Sequence, residues 1–260
     1  MSAIHIILQG KGGVGKSLVA ALIAQFLKAD GGAANNVFCA DTDPVNDTFA
    51  RYDAFGAKRI KILNSNQNID SRVFDGLIEK LLEHDGDAVI DNGASTFIPL
   101  SAYLVENDVI DLLQSAGRVV YIHTVLTGGQ AMDDTMAGLH SLLTSQNAPV
   151  VVWENEFFGP VAKDGKTFVD TKMFRENEAR IAGIVKIHQR NPDTFGKDVE
   201  LMVSNKLTFG ETMTSPLFTM MPRQRLKTVQ RSIYDQLANV LRASEVEEPR
   251  AAGKIKAAKG

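Results

Sequence analysis

The sequence predicts a three-layer α/β fold, a mostly parallel sheet with helices on both faces. Three observations predict it. Short apolar runs alternate along the chain with longer segments of helical periodicity. The runs are apolar throughout rather than at every second residue, the pattern of strands covered on both faces. No repeat or internal linker divides the 260 residues, enough for one large domain with a substantial core.

Ile4 to Leu8 is the first strand, stopped by glycines. A helix follows from Lys16 to Lys28, with Leu18, Ala21, Leu22, Gln25 and Phe26 at helical spacing and Gly31-Gly32 to end it. Val37 to Ala40 is the second strand. Ser71 to Glu83 is a helix capped by Asp70 or Ser71, with Val73, Phe74, Leu77, Ile78, Leu81 and Leu82 on one face. Ala88-Val89-Ile90 is the third strand, Val119 to Val125 the fourth and Val150-Val151-Val152 the fifth. Helices are expected over 131–144 and 171–179, and Ile181 to Ile187 is a sixth strand. Arg223 to Leu241 closes the fold as a helix with Leu226, Val229, Ile233, Leu237 and Leu241 facing inward. Residues 1–243 thus form a single domain. The remainder, 244–260, is rich in Ala, Gly, Lys and Glu, with Val246 and Ile255 its large aliphatics. It buries too little surface to offset the entropy of ordering, so a disordered tail is expected.

A net charge of −3 excludes a globally basic nucleic-acid binder but leaves room for a local basic patch. The single cysteine, Cys39, cannot form an internal disulfide and lies in an apolar run, as a buried core residue would. No apolar run approaches the ~18 residues of a membrane span. The first nine residues lack the basic region, long apolar core and cleavage site of a signal peptide. A cytoplasmic location is expected.

The segment Gly10-Lys11-Gly12-Gly13-Val14-Gly15-Lys16-Ser17 fits G-x-x-x-x-G-K-[ST] between a strand and a helix. Its glycines let successive backbone N–H groups turn inward onto phosphate oxygens, and the following helix adds its positive end. Lys16 reaches the β- and γ-phosphates and the Ser17 hydroxyl ligates Mg²⁺. The expected cofactors are ATP and Mg²⁺, held by residues 10–17 and Leu18, and the expected architecture is the three-layer P-loop NTPase fold. Asp41-Thr42-Asp43-Pro44 puts two carboxylates just past a strand end, where open α/β sheets form their ligand crevice. The alternative is a turn built from Asp and Pro. Ala88-Val89-Ile90-Asp91 is an apolar strand ending in a carboxylate that can bind Mg²⁺ through water, and Asn92-Gly93 suits a tight turn.

Lys11, a second lysine inside the loop, makes the segment resemble the deviant Walker A motif of the ParA/MinD superfamily. That resemblance implies weak ATP hydrolysis and a homodimer formed on ATP binding, in which Lys11 reaches the partner's nucleotide. No acceptor other than phosphate is expected for Lys11 within its own chain. The superfamily's D-x-D-P segment implies that Asp41 holds a water of the Mg²⁺ shell and that Asp43 orients the attacking water. It also implies that Asn155, after the strand at 150–152, reads the adenine edge; a plain turn former is the alternative. Asp91-Asn92-Gly93-Ala94-Ser95 departs from the superfamily's usual Asp-x-Pro-Pro-type segment.

The chain is also similar to the TraL family of conjugal transfer proteins of broad-host-range plasmids. The likeness rests on residues 7–17, Asp41 to Asn46, Ile90 to Ser95, His123-Thr124-Val125, Thr127 to Gln130 and Arg223 to Lys227. It implies a cytoplasmic ATPase serving plasmid DNA transfer, with conjugation or partition machinery as partners. The alternatives are a ParA-like partition or positioning ATPase that binds DNA non-specifically, and a P-loop metabolic kinase or ligase.

Arg223, Lys227 and Arg231 share one face of the last helix, with Arg225 near them. They could follow a DNA backbone or form a solvated face. The five histidines show no metal-ligand spacing, and His123 either lines the crevice or packs in the core. The tail lacks the bulky apolar face of a membrane-binding helix, so no membrane anchor is expected.

Overall fold

The structure, a computed structural model, describes residues 2–29 and 36–246, with side chains as far as 241. In chain order the elements are β1 (Ala3–Ile7), α1 (Lys16–Ala29), β2 (Phe38–Asp41), β3 (Lys58–Arg59), α2 (Val73–Glu83), β4 (Ala88–Asp91), α3 (Phe97–Glu106), α4 (Val109–Ser115), β5 (Val119–Thr127), α5 (Met132–Ser145), β6 (Val150–Asn155), the hairpin β7 (Ala162–Lys163) and β8 (Lys166–Thr167), α6 (Lys172–Asn177), β9 (Ile181–Ile187), α7 (Lys197–Ser204), α8 (Phe209–Thr212) and α9 (Met220–Val246). Seven strands form one sheet in the order β3-β2-β4-β1-β5-β6-β9. Every pairing in it is parallel.

Alternate residues of the central strands feed two cores. Ile4 and Ile6 of β1, Ile90 of β4 and Ile122 of β5 pack with Leu77, Leu100 and Leu142 of α2, α3 and α5. Ile7, Val89, Tyr121 and Trp153 point to the other face and meet Ile23 of α1 and Leu237 of α9. With both faces covered, the strands carry no polar alternation, which is why their apolar runs read as buried parallel strands. Neighbouring strands β1 and β4 send their connections to opposite faces, α1 to one and α3 to the other. The ends of these two strands therefore flank an open crevice, the usual ligand position in such sheets.

The structure adds detail to the predicted elements. The glycines expected to end α1 lie outside the described residues, as do residues 247–260 of the tail; α9 continues through 244–246. Neither expected residue caps α2. Arg72 occupies the N-cap with no side-chain bond, and the Asp70 carboxylate instead accepts from Arg72 N at 3.0 Å in the preceding turn. In α2, Phe74, Leu77, Ile78 and Leu81 are buried and Leu82 is exposed. α3 carries Pro99 in its first turn, where the missing N–H has no intrahelical partner to lose. Among the α9 residues expected to face inward, Leu226, Ile233 and Leu237 are fully buried, and Val229 and Leu241 pack on the core's edge. α9 lies close on β9 because position 183 is glycine: a Cβ there would stand 2.5 Å from Val240 Cγ2. The Gln236 amide accepts from Lys186 N at 2.7 Å and donates to Lys186 O at 3.1 Å, so a side chain blunts the free edge of the sheet. No helix among the described residues is long and apolar enough to cross a membrane.

Candidate functional site

The glycine-rich loop leaves β1 through Gln9, a buried amide absent from the sequence-based site. Its Nε2 donates to Val125 O at 3.0 Å and to Thr135 O at 3.1 Å, and its Oε1 accepts from Lys11 N at 3.3 Å. One side chain thus ties the loop's base to β5 and α5. Gly13 and Gly15 adopt φ of +74° and +104°, which favour glycine, and turn the loop back on itself. α1 begins at Lys16, so the unpaired N–H groups of its first turn face the crevice. The buried Lys16 ammonium donates across the loop to Lys11 O at 2.9 Å. Burial pushes its pKa down, while the Asp91 and Asp43 carboxylates pull it back up.

β4 delivers Asp91 beside Ile7 of β1 and Asp41 of β2. Burial raises the Asp91 pKa to about 7; a hydrogen bond from Ser17 opposes the rise and the neighbouring Asp41 adds to it. Its Oδ1 is buried with no hydrogen-bond partner. Asp41 is fully buried, with one oxygen accepting from Asp43 N at 2.9 Å and the other from Ala50 N at 3.0 Å. Burial pushes its carboxyl up and those hydrogen bonds pull it down. Asp43 Oδ1 accepts from Val45 N at 2.9 Å and Asn46 N at 3.1 Å, so this aspartate does build the turn around Pro44, while its charge also acts on Lys16 and Asp91.

Asn92 is a strut between the two carboxylate loops. Its Oδ1 accepts from Thr42 Oγ1 at 2.9 Å and from Thr96 Oγ1. Gly93, expected as a tight-turn residue, has an extended φ of −66° and needs no glycine for its backbone. It is glycine for space: a Cβ there would stand 2.7 Å from Asp43 Cγ. Gln9, Thr42, Asn92 and Thr96 are all missing from the sequence-based site. Their only signal was a polar side chain within or next to a motif whose named role belongs to its neighbours.

The structure corrects one expectation about Lys11. An acceptor exists in the same chain: Nζ lies 2.7 Å from Asp134 Oδ2, in the first turn of α5, which Gln9 docks against the loop. Both partners are exposed, a setting in which an ion pair contributes about 0–1 kcal/mol. Asn155 at the end of β6 is buried, with both ends of its amide engaged: Nδ2 donates to Val14 O at 2.9 Å and Oδ1 accepts from Phe157 N at 3.2 Å. Leu18 and Asn155 line a cavity of about 500 Å³ that continues between β9, α7 and α9. On α9, Arg225 Nε is held by Asp198 at 2.5 Å and Arg223 donates to Ser215 O at 3.0 Å, so among the described residues Lys227 and Arg231 are the exposed cations of that stripe without an ion pair. Cys39 is buried, as expected, and burial pushes its thiol up to about 12. His123 packs in the core instead of lining the crevice.

No family model matches the chain. Two curated relatives, both named Protein TraL and both from Escherichia coli, are similar to it along almost their whole length. One is 45% identical over 239 residues, 91% of this chain and 98% of its own. The other is 43% identical over 241 residues, 92% of this chain and 98% of its own. Among solved structures, a plasmid partition protein of Borrelia burgdorferi bound to AMPPNP is similar at a TM-score of 0.47 and 14% identity, covering 94% of this chain and all of that one. Chloroplast FtsY from Physcomitrella patens gives 0.39 at 18% identity, over 60% of this chain and 50% of that one. Those two likenesses are too remote to transfer a ligand. By identity and by coverage with the two Escherichia coli relatives, this chain belongs to the TraL family.

Proposed function

We propose that this chain is an ATP-binding, slowly hydrolysing switch that dimerises around nucleotide and serves plasmid conjugal DNA transfer in the cytoplasm. The observation that carries the reading is the loop Gly10–Ser17, with its two left-handed glycines, its buried lysine and a helix starting at Lys16. In this reading the loop N–H groups and Lys16 hold the β- and γ-phosphates. Ser17, with Asp91 and Asp41 acting through water, would hold Mg²⁺, which supplies neutralisation of phosphate charge. The donor set fits that ion. The oxygens are hard, and Asp91 has a buried oxygen without a partner. No cage of three or more His, Cys, Asp or Glu forms among the described residues, as suits a cation held largely by phosphate and water. Asp43 would orient the attacking water. Lys11 would exchange its exposed partner Asp134 for the phosphates of a second copy. Val45 and Ile98, 74% and 75% exposed beside the carboxylate loops, offer apolar surface to that copy.

The test uses three variants. Lys16→Ala should lose ATP affinity, and unchanged affinity would overturn nucleotide binding at the loop. Asp43→Ala should bind ATP without turning it over. Lys11→Ala should bind ATP yet remain monomeric in light scattering with a slowly hydrolysed analogue; equal masses for this variant and the parent would remove the trans-acting lysine. A second reading, partition-like DNA binding, is supported by the exposed Lys227 and Arg231, which make no ion pair among the described residues. It predicts ATP-dependent DNA retention whose salt dependence corresponds to about two phosphate contacts per chain rather than four.

A further inference from the structure

Beside the phosphate loop, the turn after β6 presents an aromatic ring to the cavity. Phe157 lines that cavity together with Leu18, the residue that follows Ser17, yet 70% of it is exposed. This exposed phenylalanine sits on an anchored turn. Its backbone N–H donates to Asn155 Oδ1 at 3.2 Å. The preceding Glu156 carboxylate accepts from Gln189 N at 3.0 Å, from the segment after β9 that forms another wall of the same cavity. Phe158 braces the ring edge-on, with centroids 4.9 Å apart and planes at 88°. The volume, about 500 Å³, lies in the range of small-molecule sites, roughly 300–1,000 Å³.

Asn155 stands at the junction of the loop and this turn. Its amide N–H₂ holds Val14 O and its carbonyl holds Phe157 N, so it joins the phosphate loop to the aromatic turn. Gly15 gives it room: a Cβ there would stand 2.9 Å from Asn155 Nδ2.

We propose that Phe157 is the platform on which the nucleobase stacks, and that Asn155 is a positioning residue for loop and platform rather than the reader of the base edge. The proposal rests on the nucleotide reading above. A flat π-surface is recognised by its faces, so an exposed ring beside the loop suits a base whose phosphates the loop holds.

The experiment measures binding of ATP and of inorganic tripolyphosphate, each with Mg²⁺, to the full chain by calorimetry. Tripolyphosphate reports the loop without a base. Phe157→Ala should weaken ATP by roughly tenfold or more, in line with losses of base–aromatic stacking, and leave tripolyphosphate unchanged. Phe157→Tyr, which keeps the ring, should restore ATP binding. Asn155→Ala should weaken both ligands together, because it frees Val14. Parent-like ATP affinity in Phe157→Ala overturns the platform. Loss of ATP with tripolyphosphate spared in Asn155→Ala overturns the strut and makes Asn155 the base reader. If Lys16→Ala binds ATP as the parent does, the nucleotide reading itself fails; if only that variant fails to bind, the loop stands and the platform falls.

Discussion

The core holds a pair of histidines that should work against stability in mild acid, and His5→Phe should remove about half of the pair's contribution. Trp153 Nε1, which can only donate, gives its proton to His123 Nδ1 at 3.0 Å. A neutral His123 therefore carries its own proton on Nε2 and donates to His5 Nδ1 at 2.9 Å. His5 in turn carries its proton on Nε2, which has no partner. Protonating either ring would set two N–H groups against each other, and both rings are fully buried. Burial holds the His5 pKa at about 3 and His123 well below its ordinary 6.5. The sign follows from linkage. Both folded values are depressed, so the unfolded chain binds more protons below pH 6.5 and stability falls as pH falls. From pH 7 to pH 5 each histidine should cost on the order of 2 kcal/mol, from 1.5 pH units below 6.5 at about 1.36 kcal/mol per unit. Asp91, whose folded pKa is raised to about 7, works in the opposite direction over the same range. The informative quantity is therefore the difference between parent and variant, in which the carboxylate cancels. Urea unfolding followed by the fluorescence of the single tryptophan, at pH 7 and pH 5, supplies it. His5→Phe should be less stable than the parent at pH 7, because it strands the His123 N–H, yet should lose about 2 kcal/mol less on acidification. Parallel losses in the two proteins would refute the reasoning.

Two further outcomes follow from close approaches at glycine. Gly93→Ala should push Asp43 aside, since the added carbon would stand 2.7 Å from its Cγ; ATP binding should stay within about threefold while phosphate release falls by about tenfold or more, the scale of misplacing a group that orients a reactant. Parent-like turnover would show that Asp43 does not act on water. Gly138→Ala should destabilise the fold by roughly 1–3 kcal/mol, because its Cβ would meet Gln9 Oε1 well inside contact distance and disturb the amide that ties β1, β5 and α5 together. A thermal midpoint equal to the parent's would mean that Gln9 can move without loss.

The legible parts of this molecule are those whose physics is local in sequence. Ile4 to Leu8 and Val150 to Val152 read as buried strands because both their faces are covered, and Ile181 to Ile187, the half-buried edge strand, reads from its apolar run alone; the parallel sheet follows from runs of a few residues. The glycine-rich loop Gly10–Ser17 is local too, since its glycines, its lysine and the helix start are consecutive. Helix α3 was hidden because Pro99 resembles a break, and β3 because two exposed residues at a sheet edge carry no period. The supporting shell is another matter. Gln9 bonds residues more than a hundred positions away, Asn92 meets Thr42 from fifty away, and Lys11 finds Asp134. Each of these residues looks like any polar side chain until the sheet order brings its partner beside it. Gly93 sharpens the point, for its neighbour Asn92 suggests a turn, whereas its φ is ordinary and the reason for glycine is the side chain of Asp43 on a different strand's loop. The groups proposed to touch phosphate and Mg²⁺ can thus be named from a motif, but Phe157 and the residues that hold the loop still are set by topology. That division predicts where substitutions will surprise: at buried polar residues to which no motif gives a role, whose loss should loosen the crevice without removing any of the groups that define it.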